Sequence, residues 1–241
     1  MTGLADLIWP PRSALSGRPV LARGQLDGED FAALQFLDAP WCKRCGVPFD
    51  YPAYEDMECP ACIAKSPAYD QARSAFVYDE TSRGLVLSLK HAGRTDGLDV
   101  YGRWLARVGA EFLGEADVLI PVPLHRSRLR RRRFNQSLLL ARALSRHCGV
   151  KVDPHLLMRV RATQTQGGLS SKGRTRNVAG AFRLRRGTGA RVEGRNLILI
   201  DDVHTTGATL SACARSLKRA GAANVNAITL ARVVKPVDPL K

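Results

Sequence analysis

From about residue 75 onward, short apolar runs alternate with amphipathic stretches along the chain. This alternation is typical of α/β proteins, in which strands and helices follow one another. A short strand is predicted at residues 74–78, and a helix capped by Thr81 or Ser82 follows it and ends near Gly93. A second helix is predicted at residues 97–113, because its apolar residues recur at every fourth position.

The middle of the chain contains one predicted strand, one predicted helix and two polar segments. Residues 117–123 are predicted to form a buried strand that is ended by proline. Residues 126–133 are so rich in arginine that we expect an exposed loop. A helix is predicted at residues 135–148, with Gly149 at its end. Residues 161–178 have the polar, glycine-containing composition of a mobile surface segment.

The clearest unit lies in the last third of the chain. Residues 196–200 form a continuous apolar run after one polar residue, which is typical of a parallel strand buried on both faces. A loop follows, a helix begins at Thr209 and stops at Gly221, and residues 225–234 supply the next strand. This βαβ unit predicts an α/β fold with a parallel sheet flanked by helices. No internal repeat is expected.

The first 70 residues differ from the rest, because they are rich in proline and carry paired cysteines. We therefore predict a cysteine-rich module at residues 1–70 and an α/β domain at residues 71–241. Neither part contains an apolar run near the roughly 20 residues that a membrane-spanning helix needs. Asp6 stands where a signal peptide would have a basic residue. We expect a cytoplasmic protein without a membrane span.

The positive charge of the chain, a net +15, arises in its second half. Residues 1–120 contain 12 Lys/Arg and 17 Asp/Glu, a net −5, whereas residues 121–241 contain 25 and 5, a net +20. Such a field attracts phosphates or nucleic acid by long-range steering. A merely solvated, arginine-rich surface is the alternative interpretation.

Four of the six cysteines form two closely spaced pairs. Cys42 and Cys45 enclose two residues, Cys59 and Cys62 do the same, and thirteen residues separate the pairs. In a reducing compartment this pattern indicates metal ligation, and four thiolates complete a tetrahedral, structural Zn²⁺ site of the ribbon type. Unmetallated or redox-active thiols are the alternative.

The loop after the predicted strand 196–200 has the composition of an anion site. Small residues let backbone amides converge on a phosphate, and the helix N-terminus and the hydroxyl groups add further attraction. The predicted phosphate-binding residues are Thr205, Thr206, Gly207, Ala208 and Thr209. Asp201 and Asp202 would repel a phosphate, so we expect them to face a neighbouring ribose, with one carboxylate helping to hold Mg²⁺. A capped turn without any ligand is the alternative.

The arginine-rich stretch allows three interpretations. Six arginines lie within eight residues, directly before Phe134. They would clamp a pyrophosphate group, contact single-stranded nucleic acid with Phe134 as a stacking ring, or form a solvated charge run. Gln166, Arg174 and Asn177 could line an acceptor pocket, but each could equally be an ordinary hydrogen-bonding residue of a loop.

Several motifs resemble those of a known family. Residues 199–209 resemble the signature with which type I phosphoribosyltransferases bind 5-phosphoribosyl 1-pyrophosphate (PRPP). Other stretches resemble the ComF/GntX family of competence-associated proteins, in which a double zinc ribbon precedes a type I phosphoribosyltransferase domain. These stretches are residues 121–125 (Pro-Val-Pro-Leu-His), 134–136 (Phe-Asn-Gln) and 88–93 (Ser-Leu-Lys-His-Ala-Gly), together with Thr163, Gln166, Leu169, Arg174 and Asn177.

The resemblance implies a protein that binds PRPP with Mg²⁺ and transfers the phosphoribosyl group to an unidentified acceptor. It implies the catalytic residues Lys90, Arg132, Arg133 and Asp202, with the cations on the pyrophosphate side. It also implies the acceptor-side or loop residues Asn135, Gln136, Gln166, Arg174 and Asn177. The family's link to competence implies a role in DNA uptake and contact with competence-machinery proteins. The alternative is a single-stranded DNA-binding protein whose phosphate pocket is not catalytic.

One departure from the family pattern concerns the N-terminal module. Ser13 and Ser16 stand where family members commonly have a first cysteine pair. We therefore expect that any metal site using that pair is lost.

Overall fold

The computed structural model describes residues 10–13, 15–22, 24–90, 97–162 and 171–234. Within the last range, the side chains of Ser171, Lys172, Arg174 and Thr175 are not described. The predicted pocket residue Gln166 lies outside the described residues.

A four-stranded parallel sheet forms the centre of the molecule. The strands along the chain are β1 (Ala72–Val77), β2 (Val118–Pro121), β3 (Leu157–Arg159), β4 (Phe182–Leu184), β5 (Asn196–His204) and β6 (Asn224–Arg232). The parallel sheet has the spatial order β1-β6-β5-β2, and β3 and β4 form a separate antiparallel pair. The predicted parallel sheet is thus confirmed.

Helices connect these strands and cover the sheet. They are α1 (Gly28–Ala32), α2 (Pro60–Ala64), α3 (Glu80–Ser88), α4 (Leu98–Val108), α5 (Ala110–Leu113), α6 (Arg126–Arg132), α7 (Gln136–Cys148), α8 (Ser171–Val178) and α9 (Ala208–Lys218), with a short 3-10 helix at Gly189–Arg191. Among the described helices, none is both long enough and apolar enough to cross a bilayer.

Side chains of β5 alternate between two hydrophobic cores, one on each face of the sheet. Leu197 and Leu199 pack with α9 and with the β3/β4 pair, whereas Ile198 and Ile200 pack with α4 and α7. This double burial is the reason for the continuous apolar run in the sequence. β5 is longer than predicted, however, because residues 201–204 continue the pairing with β6. The two acids therefore belong to the end of a strand.

Two predicted helices differ in detail from the structure. The first is capped by Asp79, whose carboxylate accepts from the amide of Ser82, and Ser82 is the third helical residue of a capping box. The predicted helix at 97–113 is broken at Gly109. There α4 approaches β6 so closely that a Cβ atom would lie 2.2 Å from Ile228 Cδ1. The helix predicted at 135–148 is present as Gln136–Cys148, and Asn135 is its N-cap.

The arginine-rich stretch forms a helix, α6, so the predicted loop at residues 126–133 is wrong. His125 caps its first turn by accepting from the amide of Ser127 at 3.3 Å. Arg133 ends it in the left-handed conformation, with φ of 65°. Residues 171–178 likewise form a helix, α8, where a mobile segment was expected.

The N-terminal module contains two copies of one backbone turn, although no repeat was expected from the sequence. In the first copy the amide of Gly17 donates to the carbonyl of Ser13 at 3.0 Å, and in the second the amide of Gly46 donates to the carbonyl of Cys42 at 2.8 Å. The two glycines have left-handed φ values of 73° and 69°. An antiparallel bridge closes each turn, one between residues 12 and 19 and the other between residues 41 and 48.

Each turn is followed by a five-residue helix that has the same relation to it. α1 begins after Asp27 and α2 after Cys59, and both residues are helix N-caps in extended conformation. The positions Ser13, Ser16, Asp27 and Asp30 in the first copy therefore correspond to Cys42, Cys45, Cys59 and Cys62 in the second. The repeat escapes a sequence comparison because these side chains differ in chemical type.

The module is joined to the sheet along the outer edge of β1. The amide of Leu37 donates to the carbonyl of Ala75 at 2.9 Å, and the amide of Val77 donates to the carbonyl of Gln35 at 2.8 Å. The second turn also docks here, because the amide of Ala72 donates to the carbonyl of Arg44 at 2.8 Å. This pairing covers a sheet edge that would otherwise be open to another chain. The division at residue 70 stays a prediction.

The packing of α4 against α7 depends on the absence of a side chain at residue 102. A Cβ atom on Gly102 would lie 2.7 Å from the carbonyl oxygen of Ala143, which is backbone and cannot move aside. We expect Gly102→Ala to lower the free energy of unfolding by about 1–3 kcal/mol. Urea denaturation followed by circular dichroism measures the change.

Gly84 in α3 provides the matched control, because its added Cβ would meet only Leu15 Cδ2 at 3.6 Å. Both substitutions improve helix propensity, by up to about 1 kcal/mol. Gly84→Ala should therefore leave stability unchanged or raise it. Equal effects of the two substitutions would show that the helices do not pack as described.

Candidate functional site

The loop between β5 and α9 has the geometry of an anion cradle. It consists of Thr205, Thr206 and Gly207, and Gly207 adopts the left-handed conformation with φ of 69°. In the described part of the chain, the backbone amides of these three residues and of Ala208 donate no hydrogen bond. Four amides thus remain available at the start of a helix, where an anion is favoured.

The acid pair lies at the end of β5, immediately before this loop. Asp201 Oδ1 accepts hydrogen bonds from Ser137 Oγ at 2.9 Å and from the amide of Asp202 at 3.0 Å. Burial and, next, the charge of Asp202 raise the pKa of Asp201 to about 7, and the two hydrogen bonds oppose this shift only in part. Two adjacent carboxylates in such a place are characteristic of a site that binds a cation or hydroxyl groups.

Lys90 and Gln136 both approach the second acid. Lys90 Nζ lies 3.5 Å from Asp202 Oδ2, and Gln136 Nε2 donates to the same oxygen at 3.4 Å. Gln136 is buried, with 4% of its surface exposed, and its Oε1 atom has no hydrogen-bond partner among the described residues. A buried acceptor without a donor costs roughly 1–3 kcal/mol. A bound ligand or cation beside Asp202 would satisfy it.

The helix α6 presents arginines outside this acid pair. Arg133 is exposed and Arg132 half-buried, and neither forms an ion pair within the described part of the chain. Burial and the neighbouring charges of Arg132 and Arg131 lower the pKa of Arg128. The structure therefore brings Lys90 to Asp202 but leaves Arg132 and Arg133 without a contact to the acids.

The structure shows contacts for only some of the residues that were predicted to lie on the acceptor side. Asn135 caps α7 through its Oδ1 atom and donates from Nδ2 to the carbonyl of Val122 at 3.1 Å, so its visible role is structural. The carbonyl of Asn177 accepts from Arg161 at 3.0 Å. Arg174 lies on α8, but the direction of its side chain is not described. Whether these residues line a pocket stays a prediction.

One functional candidate escaped the sequence analysis, namely Arg159 at the end of β3. Only 8% of its surface is exposed, and its guanidinium lies 5.1 Å from the ring centre of Phe182. Its positive charge lowers the pKa of Asp201, while burial and the charge of Arg128 lower its own pKa. The charge of Arg159 thus acts on the acid pair, and its backbone forms a β-bridge with His125, the N-cap of α6. The only sequence signal that could have identified Arg159 is the presence of a charged residue within the apolar run 156–160.

A second group of buried polar residues lies directly beneath the loop. His204 Nδ1 is 2.8 Å from Arg232 NH1, and His204 Nε2 is 3.3 Å from Tyr69 Oη. Burial and the charge of Arg232 hold the pKa of His204 well below its usual value, so the ring is neutral. A Cβ atom on Gly207 would lie 2.9 Å from His204 Nε2 and 3.0 Å from Tyr69 Oη. The loop thus rests on these two side chains.

The four paired cysteines converge in the second copy of the N-terminal turn. Their Sγ atoms all lie within 4.8 Å of one another, and all four residues are buried. Cys42 Sγ accepts from the amides of Cys45 at 3.5 Å and of Cys59 at 3.2 Å. Such hydrogen bonds favour the thiolate form that binds metal. The arrangement could hold one zinc ion, as the spacing predicts.

Comparisons with known proteins identify the family, although no family model matches the chain. The DNA utilization protein YhgH of Escherichia coli K12 is 33% identical over 217 residues, covering 82% of this chain and 86% of that protein. Competence protein F of Haemophilus influenzae is 30% identical over 211 residues, covering 82% and 87%. The chain belongs to the ComF/GntX family. Competence protein ComFC of Bacillus subtilis is another relative, 30% identical, with coverage of 79% and 77%.

Solved structures with a similar fold are more distant from this ComF/GntX member. The glutamine PRPP amidotransferase of Bacillus subtilis has a TM-score of 0.40 and 21% identity, covering 60% of this chain and 30% of that chain. TT1426 of Thermus thermophilus has a TM-score of 0.34 and 17% identity, covering 58% and 85%. Such scores support no conclusion about activity. The parallel sheet with its N-terminal cysteine module matches the expected type I phosphoribosyltransferase-like architecture.

The raised pKa of Asp201 makes a prediction about stability. A carboxyl group whose pKa is raised by folding contributes stability below the pKa of the unfolded chain, near 4, and this contribution is lost as the pH rises through about 7. We expect the free energy of unfolding of the wild type to fall over this window relative to that of Asp201→Asn. Urea denaturation at a series of pH values measures it.

Carbon-13 NMR of the aspartate carboxyls identifies the titrating group directly. Asp202→Asn should lower the pKa of Asp201, because it removes the neighbouring charge. Ser137→Ala should raise it, because it removes a donor to the carboxylate. An Asp201 resonance that titrates near pH 4 in the wild type would contradict the burial of this group.

Proposed function

We propose that this protein binds PRPP together with Mg²⁺ at the loop 205–209 and the acid pair, and transfers the phosphoribosyl group to an acceptor. The proposal is carried by one observation, namely four loop amides that donate no hydrogen bond within the described part of the chain and that lie directly beside two adjacent carboxylates. The amides of residues 205–208 would hold the 5-phosphate, aided by the hydroxyls of Thr205, Thr206 and Thr209. Asp201 and Asp202 would accept hydrogen bonds from the ribose hydroxyls.

The residues around Asp202 have the donor atoms that Mg²⁺ prefers. Both carboxylates and Gln136 Oε1, which has no partner among the described residues, are oxygen ligands, and the pKa of Asp201 is raised by burial and, next, by the negative charge of Asp202. A divalent cation would favour the ionised form of both acids. When bound, Mg²⁺ would also offset negative charge on the pyrophosphate.

The transfer reaction needs cations where the leaving group develops charge. The bond between ribose C1 and a pyrophosphate oxygen breaks, pyrophosphate leaves with the electron pair, and an acceptor atom forms a bond to C1. Lys90 lies next to Asp202 and would stabilise the departing pyrophosphate, and we assign the same role to Arg132 and Arg133 after a movement of α6 towards the ligand. Asn135, Gln136, Gln166, Arg174 and Asn177 are the candidates for the acceptor side.

The cysteine cluster would serve this domain as a structural zinc centre. Four buried cysteines supply all four positions of a tetrahedral Zn²⁺ ion, so no position is left for a substrate. Without a cation, four thiolates at this separation would repel one another strongly. We therefore assign the ion to the stability of the module and of its contact with β1.

The names of the relatives concern competence and DNA utilization, and we propose a role for this protein in handling incoming DNA. Arg126, Arg130, Arg131 and Arg133 favour a second candidate function, the binding of single-stranded DNA. The first three are exposed on α6, Arg133 is the exposed residue that ends this helix, and none of the four forms an ion pair within the described part of the chain. Phosphates of a single strand would bind there through counterion release. Partners from the competence machinery and a cytoplasmic location remain part of the proposal.

Calorimetric titration with PRPP and Mg²⁺, and separately with an oligothymidine, distinguishes the two functions. Asp201→Asn/Asp202→Asn should weaken PRPP binding by more than about 100-fold, because it weakens two sets of charge-assisted hydrogen bonds that contribute roughly 1.5–3 kcal/mol each. The same variant should bind the oligonucleotide as the wild type does. Arg130→Gln/Arg131→Gln should bind PRPP as the wild type does but bind the oligonucleotide more weakly. The salt dependence of its oligonucleotide binding should also be smaller.

A matched control separates specific binding from general electrostatics. Asp50→Asn/Glu55→Gln removes two exposed acids from the N-terminal module and changes the net charge by the same amount. On a merely basic surface both acid variants would bind PRPP more tightly than the wild type. That result, or wild-type PRPP binding by the Asp201/Asp202 variant, would overturn the proposed site.

A further inference from the structure

Arg232, at the end of β6, connects the cysteine cluster with the interior of the α/β domain. It is buried, with 7% of its surface exposed. Its NH1 atom donates to the carbonyl of Cys45 at 2.6 Å, and its NH2 atom donates to Cys45 Sγ at 3.3 Å. A guanidinium placed against a ligand sulfur would balance part of the net −2 charge of a zinc tetrathiolate.

The contact between Arg232 and His204 defines the protonation of the histidine ring. Arg232 NH1 can only donate, and it lies 2.8 Å from His204 Nδ1 and 3.4 Å from His204 Nε2, so the shorter contact assigns Nδ1 as the acceptor without a proton. The ring proton is therefore on Nε2, which faces Tyr69 Oη at 3.3 Å. Cys45, Arg232, His204 and Tyr69 form a continuous chain of buried polar contacts, which we call the buried relay.

The buried relay ends at the phosphate-binding loop. His204 is the last residue of β5, and the loop begins with the next residue. Gly207 lies so close to His204 Nε2 and Tyr69 Oη that no side chain fits between them. A shift of the histidine ring would therefore displace the turn whose amides face the anion.

We propose that the buried relay makes the cysteine cluster a positioning element for the phosphate-binding loop, so that metal occupancy of the cluster sets the affinity of the loop for a phosphorylated sugar. Arg232 and His204 are positioning residues in this scheme. The affinity part rests on the proposed function, whereas the structural coupling of cluster and loop does not.

Arg232→Met tests the proposal, because it removes the guanidinium and retains an unbranched side chain. We expect it to lower the affinity for ribose 5-phosphate about tenfold in calorimetry, while metal analysis still finds zinc in the cysteine cluster. Its loop amides, residues 205–207, should shift in ¹H–¹⁵N spectra. Tyr69→Phe, which removes one hydroxyl, should cause smaller shifts of the same amides.

Arg73→Met is the matched control. Arg73 also joins the module to the sheet, through the carbonyl of Lys43 at 2.9 Å and the ring of Trp41 at 4.9 Å, but among the described residues it contacts neither His204 nor the loop. It should leave the loop amides in place. Equal shifts in both variants, or none in Arg232→Met, overturn the buried relay. If the wild type does not bind ribose 5-phosphate but the amide shifts occur as expected, the proposed function fails and the coupling stands.

A second inference follows from the repeat in the N-terminal module. Where the second copy has four cysteines, the first has a Ser–Asp cluster, namely Ser13, Ser16, Asp27 and Asp30. Ser16 Oγ lies 2.7 Å from Asp30 Oδ2 and 3.0 Å from Asp27 Oδ2, and Ser13 Oγ also bonds to Asp30. In the first copy, hydrogen bonds from serine hydroxyls to aspartate carboxylates thus hold the same backbone arrangement together.

Arg18 offsets part of the negative charge of this cluster. Arg18 NH1 lies 3.7 Å from Asp27 Oδ2 and forms an ion pair with Glu29. Burial works against the charge of Asp30, but hydrogen bonds from Ser13 and Ser16 and the charge of Arg18 lower its pKa. The hydrogen bonds from the two serines therefore favour the ionised form of Asp30.

We infer that the first copy is a turn that has exchanged a metal for hydrogen bonds, so that the module holds one zinc ion instead of two. Metal analysis of the full chain should find one zinc per molecule. The variant Ser13→Cys/Ser16→Cys/Asp27→Cys/Asp30→Cys should hold two zinc ions per molecule.

Asp30→Asn should lower the midpoint temperature of thermal unfolding by several degrees, equally with and without added Ca²⁺ or Mg²⁺. Two zinc ions in the wild type, or stabilisation by Ca²⁺ or Mg²⁺ that Asp30→Asn abolishes, would overturn the inference.

Discussion

The parallel pairing of β5 with β6 is the interaction on which the site depends. Its last register pair places His204 opposite Arg232, and the phosphate-binding loop begins with the next residue. Both strands are buried between two hydrophobic cores, so packing on two sides holds their ends in place. Amides that bind an anion have to be positioned in advance, because ordering them upon binding would reduce the affinity. The buried strand pair supplies that rigidity.

The acid pair shows how a negatively charged site persists in the positive half of the chain. Asp201 and Asp202 follow each other on one strand, and neither is paired with an arginine in a direct salt bridge among the described residues. The pKa of Asp201 is raised, whereas Asp202 forms an ion pair with Lys90 and accepts a hydrogen bond from Gln136. Neutral or incompletely paired acids of this kind are costly for stability and useful for binding. The positive field of the surrounding arginines would favour the approach of the proposed anionic ligand, which such acids alone would repel.

Local patterns predicted most of the fold but less of the site. The apolar run of residues 197–200 and the turn at Gly207 sufficed to predict the strand and the loop, because their signals are contiguous in the chain. The length of β5 was missed because acids at 201–202 suggested a strand end. The helix α6 was missed because its arginines argued against burial, although arginine is a good helix former and exposure does not oppose a helix. The capping histidine, His125, gave only a weak signal.

Contacts between distant residues could not be predicted from any local pattern. Tyr69, His204 and Arg232 meet because β5, β6 and the segment that leads into β1 come together in the folded chain. The two copies of the N-terminal turn share a backbone arrangement but no type of side chain. The difference between the copies has a physical logic. The copy with cysteines contacts Arg232 and β1, where a rigid and charged centre can hold the sheet edge and the loop. The copy that is held together by hydrogen bonds makes no contact with the loop 205–207 among the described residues. A less rigid arrangement than a metal centre is therefore sufficient there.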